Sequence, residues 1–364
     1  MQPTQRTKTL LSSAFVCGVL LTAASAAQAL TQDEIANLKG PDRQKILEEG
    51  AKKEGKVTFY SAMVADQLLR PLSIAFMKKY PYIKAEYWQA NGSAIVQKVL
   101  AESSAKSIVG DVVESTDLSE PLKKAGVVVP FDSPELDSYP DVYKSPDHYW
   151  SAARLNYFSS AYNTNQIKAA DAPKTYEDLL DPKWKGKLSW REGSGSGNQL
   201  FVTNILILMG DEKADAYFKK LAQQNVVNFT GSARALVNSV MAGEYPIAMN
   251  IFAHHPIISA QKGAPVASIP MEPVPSITGT AMFVKGAPNP YSAMLFIDYL
   301  QSKEGQSQLE KADYFPVHPD VEINKKLDPI VPRKAGLKEN FITPKELDDY
   351  SAKSDAILKK YFKN

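Results

Sequence analysis

Between residues 57 and 124 the same succession occurs three times: a short β-rich run, a small polar loop, then a helical stretch. Val57-Thr58-Phe59-Tyr60 ends at Ser61, a good helix N-cap residue, and Leu68, Leu69, Leu72 and Phe76 then recur at helical spacing. Residues 83–88 alternate and are rich in aromatics, and Asn91-Gly92-Ser93 turns the chain into a helix through Val96 and Leu100. Residues 108–113 form an apolar run, and Glu114-Ser115-Thr116 leads into a helix reaching about Lys124. Strand, loop and helix in this order predict an α/β fold with a mostly parallel sheet. In such sheets ligands gather at the carboxyl ends of the strands, where loops meet helix N-termini. Tyr60, Ser61, Asn91, Ser93 and Thr116 fall at that edge and are candidate ligand contacts. Ordinary helix capping is the competing role for each loop.

The N-terminus constrains where such a fold would work. Arg6 and Lys8 precede an apolar run over residues 10–24, and Ala27-Gln28-Ala29 is a small-x-small site. This is the pattern of a secretory signal peptide over residues 1–29, cleaved after Ala29. The run is shorter than the roughly 20 residues a spanning helix needs. In a bacterium the expected compartment is the periplasm. Cys17, the only cysteine, lies inside this segment, so no disulfide or thiolate chemistry is expected after it. Beyond residue 29 the 335 remaining residues balance 40 basic against 40 acidic side chains, with no basic run. That balance argues against nucleic acid as a partner. The length exceeds what one core usually holds, so two lobes are expected.

A second loop carries more specific chemistry. Leu188-Ser189-Trp190 reads as a strand, and Arg191-Glu192-Gly193-Ser194-Gly195-Ser196-Gly197 joins it to an apolar helix over about 198–209. Free N–H groups, a positive helix end and an arginine make an anion cradle. A flexible turn is the alternative. The loop is neither a nucleophile elbow nor a P-loop, because the required glycine and lysine spacings are missing. Thr230-Gly231-Ser232-Ala233-Arg234 repeats the idea before another helix. His254 and His255 are adjacent and point to different sides of a chain, while His148 and His318 are distant in sequence. No metal site and no cofactor are expected.

The order of the pieces resembles the extracellular solute-binding proteins of ABC importers, specifically the ferric-iron-binding branch. The resemblance rests on Val57-Thr58-Phe59-Tyr60-Ser61, on Asp178-Leu179-Leu180-Asp181-Pro182-Lys183-Trp184-Lys185-Gly186-Lys187, and on Gly243-Glu244 before an apolar strand. Gly279 to Ala287, within which 281–284 reads as a strand, Glu304-Gly305-Gln306 and Tyr314-Phe315-Pro316-Val317 complete it. It implies a type II periplasmic-binding-protein fold: two α/β lobes, each a mostly parallel sheet flanked by helices, joined by a two-strand hinge. Residues 30–152 with 279–319 would form one lobe and 153–278 the other. A tail over 320–364, ending in a helix near 346–362, would pack across both, and the hinge would lie near 152–155 and 276–279. Iron-binding members carry two adjacent tyrosines where Ala253 and His254 stand here. Their histidine and acidic ligands fall near Val64 and Thr116. Ferric iron favours charged oxygen donors, so the resemblance implies an organic or phosphorus-containing anion instead. The expected ligand-binding set is Tyr60, Ser61, Asn91, Ser93, Thr116, Arg154, Arg191, Ser194, Gly195, Ser196, Arg234, His254 and Thr278.

These readings converge on a periplasmic, monomeric binding protein that delivers a small solute to importer permease subunits in the inner membrane, with no catalytic residue. Ferric iron or an iron chelate is the alternative solute. An exported hydrolase is the alternative class, and it lacks a recognisable nucleophile, base and orienter. A chemosensory partner would share the fold and differ only in its membrane receptor.

Overall fold

The structure, a computed structural model, describes Met1, residues 30–193 and residues 196–362. The signal-peptide reading, Cys17, and the candidates Ser194 and Gly195 lie outside the described residues. The strands are β1 (Lys56–Ser61), β2 (Lys84–Gln89), β3 (Val112–Ser115), β4 (Val128–Val129), β5 (Ser151–Asn163) and β6 (Leu188–Arg191). They continue with β7 (Val227–Phe229), β8 (Ile247–Phe252), β9 (Val266–Ile269), β10 (Val274–Val284) and β11 (Glu339–Phe341). The sheet order is β2-β1-β3-β10-β5-β8-β6-β7, with β4 and β11 beside β10 and β9 beside β5.

Two parallel triplets stand at the ends of this order. β1 runs parallel to β2 and β3, and β6 runs parallel to β7 and β8. The first is what the repeated strand–loop–helix segments of 57–124 predict, and the second is what the resemblance implies. The antiparallel pairs come from β5 and β10, which carry the chain between the triplets. β10 pairs β3, β5 pairs β8, and the two long strands pair with each other from Ser276↔Tyr157 to Ala281↔Ser151. Both are buried along their whole length. Their ladder shifts register between Gly279 and Thr280. Separate apolar clusters serve the two triplets. Tyr60, Val99, Val113 and Met282 share one, while Trp190, Phe201, Phe218 and Met249 share the other.

Three elements differ from the sequence expectation. The strand expected over 108–113 begins only at Val112. Before it, the Glu102 carboxylate accepts the N–H groups of Val109 (3.0 Å) and Gly110 (3.2 Å), which withdraws them from the ladder. The strand expected over 281–284 starts at Val274, because β5 and β11 supply neighbours that no local pattern records. The tail helix is two helices, Pro344–Asp349 behind a Thr343–Glu346 capping box and Ser351–Tyr361. The second lies on the helices Asn198–Met209 and Asp211–Ala222 through Lys353–Asp211 (2.6 Å) and Lys360–Asp215 (2.8 Å). The first meets the helix Ser119–Lys124 through Lys124–Asp348 (2.5 Å). No helix among the described residues is long and apolar enough to cross a membrane.

Candidate functional site

The carboxyl edges of the two triplets face one cavity of about 310 Å³. One wall is Ala62 after β1, Gln89–Ser93 after β2 and Ser115–Asp117 after β3. The opposite wall is Arg191 and Ser196 after β6, Thr230–Ala233 after β7, and Phe252 at the end of β8. A second cavity of about 320 Å³ adjoins it, shares Ser93, Thr116 and Asp117, and is closed on its far side by Pro344 and Leu347.

Three helices begin at this cavity: Gly92–Ser104, Asn198–Met209 and Ala233–Ala242. Each aims the positive end of its dipole inward, which favours an anion. The Asn91 side chain caps the first by accepting from the Ala94 N–H (2.9 Å), and Ser232 caps the third by accepting from the Ala235 N–H (3.1 Å). The middle helix begins at Gly197 with no side-chain cap. A Cβ on Gly197 would lie 2.5 Å from the Gly193 carbonyl and 2.7 Å from that of Arg191, so these carbonyls approach this closely only with glycine at 197.

Arg191 is buried, and its Nη2 donates to the Ser196 hydroxyl at 2.8 Å. Burial pulls the guanidinium below its usual range, while the Asp117 carboxylate on the facing wall acts in the other direction. Asp117 is itself held. Its Oδ1 accepts the Ser115 hydroxyl at 2.8 Å, and a Cβ on Gly92 would fall 1.7 Å from that oxygen.

Behind the cavity lies a buried polar layer. Arg154 Nε donates to Glu114 Oε1 at 2.9 Å, and Nη1 donates to the Asn156 side-chain oxygen. The other Glu114 oxygen accepts the Ser61 hydroxyl at 2.6 Å. A Cβ on Gly279 would lie 2.4 Å from Glu114 Oε1, so glycine makes room for this ion pair. The Arg154 guanidinium sits 5.7 Å from the Phe252 ring and 5.5 Å from the Tyr314 ring. Arg234 donates to the Ser259 hydroxyl at 2.9 Å. His254 packs 5.0 Å from Tyr314, with neither ring nitrogen hydrogen-bonded. Burial, reinforced by Arg154 and Arg234, holds its pKa well below the ordinary value, so the imidazole is neutral.

The structure therefore sorts the expected ligand contacts. Asn91, Ser93, Thr116, Arg191 and Ser196 line the cavity. Ser61, Arg154, Arg234, His254 and Thr278 do not line it; all but the partly exposed Arg234 are buried. Tyr60 turns away, donates to Glu102 at 2.7 Å and packs edge-on to Trp88. Its strand-end position is right for the cavity, but alternation sends the ring to the other face. The expected set omitted Asp117, Gln89 and Thr230. Asp117 directly follows the Glu114-Ser115-Thr116 loop, so its position was the available signal. Among the described residues no three His, Cys, Asp or Glu side chains come together as a metal cluster.

The model of the bacterial extracellular solute-binding protein family matches residues 108–338. The chain belongs to this family. Solute-binding proteins of this family act in the extracellular or periplasmic space with ABC importers, and this chain is of that class. It is 26% identical over 259 residues to "Iron uptake protein A1" of Synechocystis sp., covering 67% of this chain and 71% of that protein. It is 25% identical over 253 residues to the "Putative 2-aminoethylphosphonate-binding periplasmic protein" of Salmonella typhimurium, covering 66% and 71%. Its fold matches the periplasmic binding protein AfuA from Actinobacillus pleuropneumoniae, solved with fructose-6-phosphate. The TM-score is 0.72 at 23% identity, covering 85% of this chain and 98% of that one. The type II periplasmic-binding-protein fold is thus established for this solute-binding protein.

Proposed function

We propose that this protein captures a small organic or phosphorus-containing anion in the cavity between the triplets and hands it to the permease subunits of an ABC importer. No bond is made or broken in this reading. The observation that carries it is the convergence of Arg191, Ser196 and three helix starts on one cavity of about 310 Å³. Residues 30–152 with 279–319 act as one lobe and 153–278 as the other, and 320–364 straps them. Ligand bridging the walls shifts an open–closed equilibrium toward the closed form, with β5 and β10 as the hinge. The register shift at Gly279/Thr280 supports bending there. The chain is exported, cleaved after Ala29 and monomeric. Ferric iron or its chelate is the competing solute, after the name of the cyanobacterial relative.

The test is a thermal-shift panel on protein recovered from the periplasmic fraction and stripped by unfolding and refolding. Phosphonates, carboxylates, phosphate, and ferric iron with and without citrate are compared. A ligand at about 100 times its Kd adds roughly 2.7 kcal/mol and raises the melting temperature by several degrees. Stabilisation by an organic anion supports the proposal. Stabilisation by ferric iron alone replaces the anion with iron, and turnover of an ester or phosphoester by pure protein rejects the binding-protein reading. The intact mass of the same sample reads the cleavage site directly.

A further inference from the structure

Two cavities, rather than one, meet at the start of the helix Gly92–Ser104. The one of about 310 Å³ holds Arg191 and Ser196, and the adjoining one of about 320 Å³ shares Ser93, Thr116 and Asp117 with it, so a single molecule resting on those residues reaches both. Their chemistry differs. The first offers an anion a guanidinium and two further helix starts. Among the described residues no arginine, lysine or histidine lines the second. Gln97, Gln199 and Ser351 supply amides and a hydroxyl there, while Glu120 and Asp348 supply carboxylates. The Asp348 carboxylate is paired with Lys124 at 2.5 Å. A second anionic group would meet these carboxylates, whereas a neutral hydroxyl both donates to a carboxylate and accepts from an amide. Val96 and Leu347 give apolar contact to the carbon chain that carries such hydroxyls. The far wall, Pro344, Leu347 and Ser351, lies beyond residue 338, where the family match ends.

We infer that the solute is an elongated anion with one charged head and a neutral, hydroxyl-bearing body, its head at Arg191 and Ser196 and its body in the adjoining cavity against the tail. This rests on the solute-capture reading above. The size agrees: each cavity equals roughly ten water volumes. A phosphonate or carboxylate of a few atoms fills part of the first and leaves the second to solvent, whereas a hydroxylated chain continues from one into the other.

Two series of probes test it by calorimetric titration of the full, ligand-stripped protein. One is glycolate, gluconate and glucarate; the other is methyl phosphate, glucose 6-phosphate and glucose 1,6-bisphosphate. In each, a short anion is followed by one with a hydroxylated body and then by one with a second anionic head. In at least one series the middle member should bind about tenfold or more tightly than either neighbour. Val96→Trp and Ser351→Trp, which fill the adjoining cavity, should each bring that member within about threefold of the short one. An unchanged ligand-free melting temperature shows that a variant is folded, and the series on the parent protein tests the inference whatever the variants do. Middle members that bind no more tightly than their neighbours in both series, or a preference that survives in a folded variant, overturn the inference. Stabilisation by another anion of the thermal-shift panel, with no binding of either middle member, overturns the elongated solute while leaving solute capture standing. Failure of both series, together with every anion of that panel, overturns both.

Discussion

Asp111 couples stability to pH in an unusual direction. Burial pushes its carboxyl up to about 6, although the Thr58 N–H (2.7 Å) and the Asn289 N–H (2.8 Å) donate to it. An aspartate in the unfolded chain titrates near 4, so the folded protein holds the proton more tightly. The stabilising contribution is full below about pH 4 and is lost as pH rises through about 6, on the order of 3 kcal/mol. Asp111→Asn should abolish that trend. Urea titrations at pH 4 and pH 7 read it as a parent-minus-variant difference that shrinks toward high pH. The Arg154–Glu114 pair works differently, because both side chains are fully buried. Glu114→Gln leaves the guanidinium without its counter-charge and should cost about 3–5 kcal/mol in the same denaturation experiment. A cost below about 1 kcal/mol would mean that Asn156 and the aromatic faces suffice.

At the scale of elements, the glycines at 193 and 197 decide what the second wall presents. Gly193 has φ +131, and Gly197, just before the helix Asn198–Met209, leaves no space for a Cβ beside the Gly193 and Arg191 carbonyls. The Asn250 side chain donates to the Gly197 carbonyl at 2.9 Å and holds Gly197 from behind. Gly197→Ala must push Gly197 from the Gly193 and Arg191 carbonyls by a few tenths of an ångström or more, which moves Arg191 and Ser196 apart. Affinity for whichever anion stabilises the parent should fall at least about tenfold, while the melting temperature changes by only a few degrees. Titration calorimetry with differential scanning separates the two effects. Unaltered affinity would place the anion at the other helix starts.

At the scale of the whole molecule, the tail joins elements that belong to different triplets. Its last helix is tied to the Asn198–Ala222 region by two ion pairs, and Phe362 packs 4.7 Å from the Trp190 ring. The preceding helix reaches Lys124 on the other side. Lys124→Ala removes an exposed pair and should shift the melting temperature by no more than about two degrees. If the tail latches the closed form, the variant should release solute faster, as stopped-flow dissociation reads. An unchanged rate would make the tail a passive wall. The first parallel triplet was legible in the sequence, because hydrophobic runs alternating with capped helices are local signals, whereas β7 of the second was not read as a strand. The loops at the carboxyl ends were legible too, including Asn91, Ser93, Thr116, Arg191 and Ser196 in the cavity. Tyr60, Arg154 and His254 were not legible as residues behind or away from it, since the face a strand residue takes depends on neighbours distant in sequence. The amino-acid sequence by itself determined the helices, the first triplet and the loop chemistry, all of which depend on residues a few positions apart. Only the tertiary structure decided that Asp117 faces Arg191 across one cavity, because that opposition arises when β5 and β10 bring two separately coded halves together.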